Sequence, residues 1–192
     1  MIRALYTWTF SLARSPHALL ALAIVSFIES SVFPIPPDVL MIPMILAAPR
    51  RAFLIAAVAT IASVFGGAFG YWIGAAFFDA VGLPVLEFYG KTDYFDGFQA
   101  RYDAYGAWAV LIAGVTPFPY KVITILSGAA ELNFWVFMAA SLVARGLRFF
   151  IVATLLWKYG EPIRVFIERR LGLLFTIAMV VLVGGFAAVR FL

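Results

Sequence analysis

The chain has no cysteine and a single histidine, His17. Without thiols there can be no disulfide, no cysteine nucleophile and no cysteine-ligated metal, and a lone imidazole cannot build a zinc site. Neither GxSxG nor HExxH occurs, so the familiar hydrolase machineries are missing. No metal, cofactor or catalytic residue is expected, and the chain is not read as an enzyme. Charge is scarce as well: charged residues are 12% of 192, against 65% hydrophobic, and the mean hydropathy is +1.02. A soluble domain needs more polar surface than this, which makes the chain an integral membrane protein. Its net charge of +4 does not indicate nucleic acid, because the basic residues are scattered among apolar spans. The first residues, with Arg3 and Arg14 around a mixed aromatic run, do not read as a removable leader. Ile2, Leu5, Trp8 and Leu12 recur at helical spacing, which predicts an amphipathic helix over 1–16 lying in the interface; a frayed terminus is the alternative.

Two stretches break the apolar sequence in the same way, FPIPPDVLMIP from Phe33 to Pro43 and TPFPYKVITIL from Thr116 to Leu126. Each places a proline pair and one charge where a continuous transmembrane helix would not tolerate them, so Pro34, Pro36, Pro117 and Pro119 mark breaks. In lipid such a break needs cover from protein or a water-filled cavity. Residues 17–48 are too many for one span of about 20 residues and too few for two. They fit a re-entrant hairpin with its tip at the prolines. Residues 52–78 then cross fully, with Gly66, Gly70 and Gly74 forming a ridge that lets another helix approach closely. Residues 79–105 form an acidic, amphipathic connector whose Phe95, Phe98, Tyr102 and Tyr105 share a helical face suited to the interface. The plan then repeats, with a second re-entrant hairpin over 106–131 and a crossing over 134–157. The membrane domain is thus 17–157, and 158–192 supplies a basic turn and a last transmembrane helix. Setting Pro34 on Pro117 also aligns Pro36 with Pro119, Val39 with Val122 and Ile42 with Ile125. The expected fold is all-α: an inverted repeat of two re-entrant hairpins, each followed by a transmembrane helix, plus the C-terminal one.

If both hairpins return to their own side, Arg3, Arg14, Arg50, Arg51, Lys158, Arg164, Arg169 and Arg170 share one face. That face, with the N-terminus, is then cytoplasmic. The tips enter from opposite leaflets and meet near mid-membrane, a plan common among secondary transporters. At the aligned position they carry Asp38 and Lys121. Glu29 lies about 18 Å along the first arm, near the midplane. Arg145 and Arg148 lie deep in the second crossing on one helical face. Such charges mark functional sites unless they merely neutralise one another, as an Asp38–Lys121 pair would, or snorkel to an interface. Lys121, Arg145, Arg148 and Thr116 are the candidate anion-binding residues, since guanidinium forks grip phosphate. Glu29 and Asp38 are the candidate proton-coupling acids.

These residues resemble the DedA superfamily, also described as VTT-domain or SNARE-associated-Golgi-protein-like membrane proteins, and more especially a smaller branch of it. The resemblance runs from Ser26 to Trp157 and is carried by Glu29 upstream of PIPPD, by GAFGYWIG, by PFPYKVITILSGAAELNF and by ARGLRFF. It implies two facing re-entrant hairpins and a role in moving lipids, such as polyprenyl phosphates or phospholipids, across a bacterial cytoplasmic membrane, often linked to the proton gradient. The usual pattern places arginines before and after the second proline tip; here Thr116 and Lys121 occupy the nearest places. The leading expectation is therefore a flippase or scramblase whose partners are lipids with anionic headgroups. A proton-coupled transporter of a small solute, an intramembrane enzyme and a non-transporting scaffold are the alternatives, and self-association into a homo-oligomer stays open.

Overall fold

The computed structural model describes residues 17–31, 36–78, 80, 83–88, 92–116 and 119–189. The predicted helix over 1–16 and the tip residues Pro34 and Pro117 lie outside the described residues. Within them every regular element is helical: α1 (Ala18–Ser31), α2 (Asp38–Ala47), a 3₁₀ turn (Pro49–Arg51), α3 (Ala52–Phe77), α4 (Leu83–Phe88), α5 (Thr92–Val115), α6 (Tyr120–Ala129) and α7 (Phe134–Val189). Among the described residues two stretches are long and apolar enough to cross a membrane, Pro49–Phe77 and Phe134–Gly160.

The ends of these helices follow from local chemistry. α3 holds neither proline nor charge over its 26 residues, so nothing interrupts its hydrogen-bond ladder. α6 starts directly after Pro119 and ends where Glu131 takes a left-handed φ of 55°. There the Leu132 N–H donates to the Ser127 carbonyl at 3.0 Å and the Glu131 N–H to Gly128 at 3.1 Å, the paired bonds of a Schellman turn. Asn133 then caps α7, its Oδ1 accepting from the Trp135 and Val136 N–H groups at 3.0 and 3.2 Å.

α3 and α7 run antiparallel. Phe53 packs on Phe150 and Trp157 at one end, while Tyr71 meets Phe134 and Phe137 at the other. α1 follows α3 in the same sense, with Ala18 and Leu22 in the cluster that holds Ala52–Ala59 and Ser30 reaching Ser63. α2 doubles back, from Asp38 beside Arg148 to Leu46 beside Gly160. On the other side α5 runs with α7, from Gly106 near Leu132 to Gly114 near Ala144, and α6 returns to bring Ser127 to Tyr102. Two apolar cores result. One joins α1, α2 and the first part of α3 to Phe149, Ala153 and Leu156; the other joins α5 and α6 to Phe137 and Ala140.

Three glycines of α3 are points of bare backbone contact. A methyl group on Gly66 would overlap the Phe27 carbonyl, one on Gly70 the Thr124 hydroxyl, and one on Gly74 the Ile125 carbonyl. Gly128 on α6 answers Gly74, because its missing side chain would strike the Tyr71 carbonyl of α3.

The structure differs from the sequence reading in three respects. The expected boundary at 105/106 is not a break, since α5 runs from Thr92 to Val115 without interruption. One glycine costs a helix only about 1 kcal/mol relative to alanine, and Gly106 is used for packing against the Tyr102 ring and Leu132. Nor do Tyr102 and Tyr105 share one environment: Tyr102 is buried with its hydroxyl 2.9 Å from Ser127, whereas Tyr105 is exposed. Phe95 and Phe98 lie outside the residues with described side chains. The expected turn over 158–170 is also absent, because α7 continues through it and through Pro162 to Val189. A lone proline forfeits one hydrogen bond, and the flanking Glu161, Arg164, Glu168, Arg169 and Arg170 include good helix formers.

Candidate functional site

A band of polar side chains separates the two apolar cores. Ser63 stands at the midpoint of the Pro49–Phe77 stretch, and Arg145 and Arg148 bracket the midpoint of Phe134–Gly160. In lipid these positions would be the most expensive for charge. Their neighbours explain how they are held.

Arg145 is 1% exposed. Its Nη2 donates to Glu29 Oε2 at 2.8 Å and its Nε to Ser63 Oγ at 2.6 Å. The guanidinium carbon lies 4.8 Å from the Tyr120 ring centroid and 4.6 Å from that of Phe149, so two aromatic rings cover the cation. Ser63 is 2.7 Å from Ser30 Oγ, which in turn lies 3.2 Å from Glu29 Oε2. Glu29, Arg145, Ser63 and Ser30 therefore close a ring drawn from α1, α7 and α3. Tyr120 donates to Ser141 beside it.

Arg148, one helical turn further along α7, is more open. Its Nη2 donates to Asp38 Oδ2 at 2.8 Å and its Nη1 to the Thr116 carbonyl at 2.8 Å, and both ion-pair side chains are 21% exposed. One planar fork thus holds the first residue of α2 and the segment just past the end of α5. The carbonyl released by the break after Val115 finds a charged donor, which meets the demand for a partner at an interrupted helix.

The sequence-selected residues therefore sort as follows. Glu29 with Arg145 and Asp38 with Arg148 are brought together; the Asp38–Lys121 pair considered from the register is not formed, because Asp38 turns to Arg148. Arg145 is enclosed rather than extended to an interface. Thr116 contributes its carbonyl, while its hydroxyl faces the Ala113 carbonyl at 3.5 Å. Lys121, in the first turn of α6, forms no ion pair among the described residues. Beside these candidates, Thr124 serves backbone, donating toward the Lys121 and Ser30 carbonyls, and Ser127 donates to the Ile123 carbonyl. Pro36 is exposed, Pro37 buried and Pro119 half-buried. Among the described residues no cluster of His, Asp and Glu has the makings of a metal site.

Sequence reasoning missed Ser30, Ser63, Tyr120 and Ser141. The available signal was the spacing of Ser26 and Ser30, and of Thr60 and Ser63, at one helical turn inside otherwise apolar spans.

The described residues are all-helical, with a polar band at the middle of two spans apolar enough to cross a membrane, the pattern of an integral membrane protein. The VTT domain is matched over residues 35–158, and the chain belongs to this family, that of the DedA domain. An uncharacterized protein of Haemophilus influenzae is 36% identical over 157 residues, covering 82% of this chain and 81% of its own length. An uncharacterized protein of Histophilus somni is 35% identical over 168 residues, with coverage of 85% and 87%. No solved structure matches. Membership of the family fits a role in membrane transport.

Proposed function

We propose that the protein moves an anionic lipid, such as a polyprenyl phosphate or a phospholipid, across a bacterial cytoplasmic membrane, as a flippase or scramblase linked to the proton gradient. The observation that carries this reading is the Arg148 fork, which joins the ends of two helix breaks at mid-span and remains partly open. Lys121 adds a cation without an acidic partner among the described residues. A phosphate headgroup that reached Arg148 would meet a fork suited to two of its oxygens, with the dipole-positive starts of α2 and α6 nearby. Arg145 does not fit headgroup contact in this arrangement, since it is enclosed by Glu29, Ser63 and two rings. Its part is to fix Glu29.

In this proposal α1–α2 and α5–α6 are two re-entrant hairpins of an inverted repeat, within a membrane domain of residues 17–157. The opposed courses of the two helix pairs along α7, with both breaks at Arg148, support it. Exposed Arg50, Arg51 and Lys158 gather at one end of the α3–α7 pair, which favours a cytoplasmic N-terminus.

The test is lipid translocation in reconstituted vesicles, with and without a pH gradient. Lys121→Ala and Arg148→Ala are each expected to cut transfer of an anionic lipid at least tenfold and to leave a zwitterionic lipid unaffected. Normal anionic-lipid transfer by the double variant sinks the proposal. Proton flux dependent on Glu29 or Asp38 with no lipid transfer would favour the small-solute reading instead.

A further inference from the structure

The ring of four side chains around Glu29 has a direction. Arg145 Nε can only donate, so Ser63 Oγ accepts from it at 2.6 Å. The Ser63 hydrogen is then left for Ser30 Oγ at 2.7 Å. Ser30 in turn donates to Glu29 Oε2 at 3.2 Å or to the Ser26 carbonyl at 3.0 Å. With Ser30 turned to Glu29, the donors run from Arg145 toward Glu29, by the direct route through Nη2 and by the longer one through two hydroxyls. Both routes end on the same carboxylate oxygen.

Both hydroxyls are fully buried, with Ser30 and Ser63 at 0% exposure. A simple polar filler would be satisfied by the carbonyl one turn back in its own helix, which is what Thr60 does with Ala56. Ser30 has that option in Ser26 and still lies within reach of Glu29 and Ser63. Among the described residues Ser63 bonds outward, to α1 and α7.

We propose that Ser63 and Ser30 are positioning residues for Glu29: their hydroxyls fix the carboxylate against Arg145 and set which oxygen is held. The Ser26 carbonyl at 3.0 Å gives the Ser30 hydrogen a second acceptor, so Ser30 stays satisfied whether or not it is turned to Glu29. The groups facing Glu29 are Arg145 from α7 and Tyr120 from α6, with Arg148 and Asp38 forming the next pair. From α3 the group contributed is the Ser63 hydroxyl. The inference deepens the site assigned above and rests on that reading for its role in transport, but not for its geometry.

The experiment is infrared difference spectroscopy on the full chain in lipid nanodiscs, with the Glu29 carboxylate band isolated by subtracting the Glu29→Gln spectrum. In Ser63→Ala the band is expected to move away from the paired position and broaden, with a smaller change in Ser30→Ala. In Ser26→Ala, where the lost hydroxyl has no hydrogen-bond partner, it is expected to stay where it is. An unchanged band in Ser63→Ala overturns the proposal, as does an equal change in all three variants. Should Ser63→Ala not fold, the comparison of Ser30→Ala with Ser26→Ala decides on the same criterion. Lipid transfer is measured on the same samples: a shifted band with no transfer by the unsubstituted protein would uphold the positioning role and overturn the lipid reading alone.

Discussion

The Arg148 guanidinium meets the Asp38 carboxylate at 2.8 Å across 110 residues of chain, and neither group is sealed from its surroundings. The same fork holds the Thr116 carbonyl. Both side chains of this pair are 21% exposed, whereas Arg145 in the pair beside it is 1% exposed and its partner Glu29 15%. Two pairs of the same chemistry, one turn apart, are thus suited to different tasks.

If Arg148 ties the two breaks together, its loss should let them part. The chain has no native cysteine, so spin labels can be placed at Val39→Cys and Val122→Cys, which are 41% and 40% exposed. Arg148→Lys, which keeps the charge but loses the planar fork, is expected to lengthen and broaden the distance between the labels in pulsed electron-spin measurements. The associated loss of stability should be about 1–3 kcal/mol, the range for hydrogen bonds to charged groups. An unaltered distance distribution would show that the fork is not the tie.

Arg145 should behave as structure, with its cost set by the partner it leaves behind. Arg145→Met alone strands Glu29 and is expected to destabilise the protein by about 3–5 kcal/mol. Adding Glu29→Leu removes the stranded charge and should restore most of that loss, since a buried pair replaced by apolar groups is often neutral. Thermal unfolding in one detergent compares the three proteins. The double variant, folded but without the acid, also separates stability from transport.

The glycine contacts predict opposite outcomes for one small change. Gly74→Ala must push the Ile125 backbone away and should cost about 2 kcal/mol or more. Gly146→Ala, in an α7 interior where the nearest atom is Thr60 Cγ2 at 3.9 Å, should gain about 0.5–1 kcal/mol from helix propensity. Equal effects in unfolding measurements would mean the close approach is not maintained in the folded protein.

At the junction of α6 and α7, Glu131 occupies a left-handed position that glycine adopts without strain. Glu131→Gly is expected to stabilise by about 1 kcal/mol despite the loss of the exposed Gln99 contact. Asn133→Ala should destabilise by about 1 kcal/mol, because two N–H groups of α7 lose their acceptor. Both follow from equilibrium unfolding.

Much of the helix layout was legible because it depends on local chemistry. The charge-free run before Phe78 reads as a crossing, and the proline pairs read as interruptions; the chain is non-helical at Pro36 and at Pro119. Segment boundaries drawn from polarity were less legible: the connector ending at 105 and the basic turn over 158–170 both lie inside helices that continue, because Gly106 and Pro162 are single weak residues that do not outweigh their neighbours. Depth along a helix was also readable, which is how Glu29, Arg145 and Arg148 were selected. Partner choice was not. Internal alignment set Asp38 opposite Lys121, but pairing is decided by the face of a third helix, and Arg148 reaches Asp38 first. Ser30 and Ser63 escaped notice because an isolated serine in an apolar span has many bland explanations until its neighbours are known.

The reciprocal fit of Gly74 against Ile125 and of Gly128 against Tyr71 keys α3 and α6 together at two points, each with backbone as the obstacle. Sliding one along the other would drive a carbonyl into a helix axis, so these two elements must travel as one piece. Among the described glycine contacts none locks α2 to α3 in this way; α2 is fastened near the middle by Arg148. A label pair spanning α3 and α6 should hold a single separation under every condition in which the Val39–Val122 separation varies.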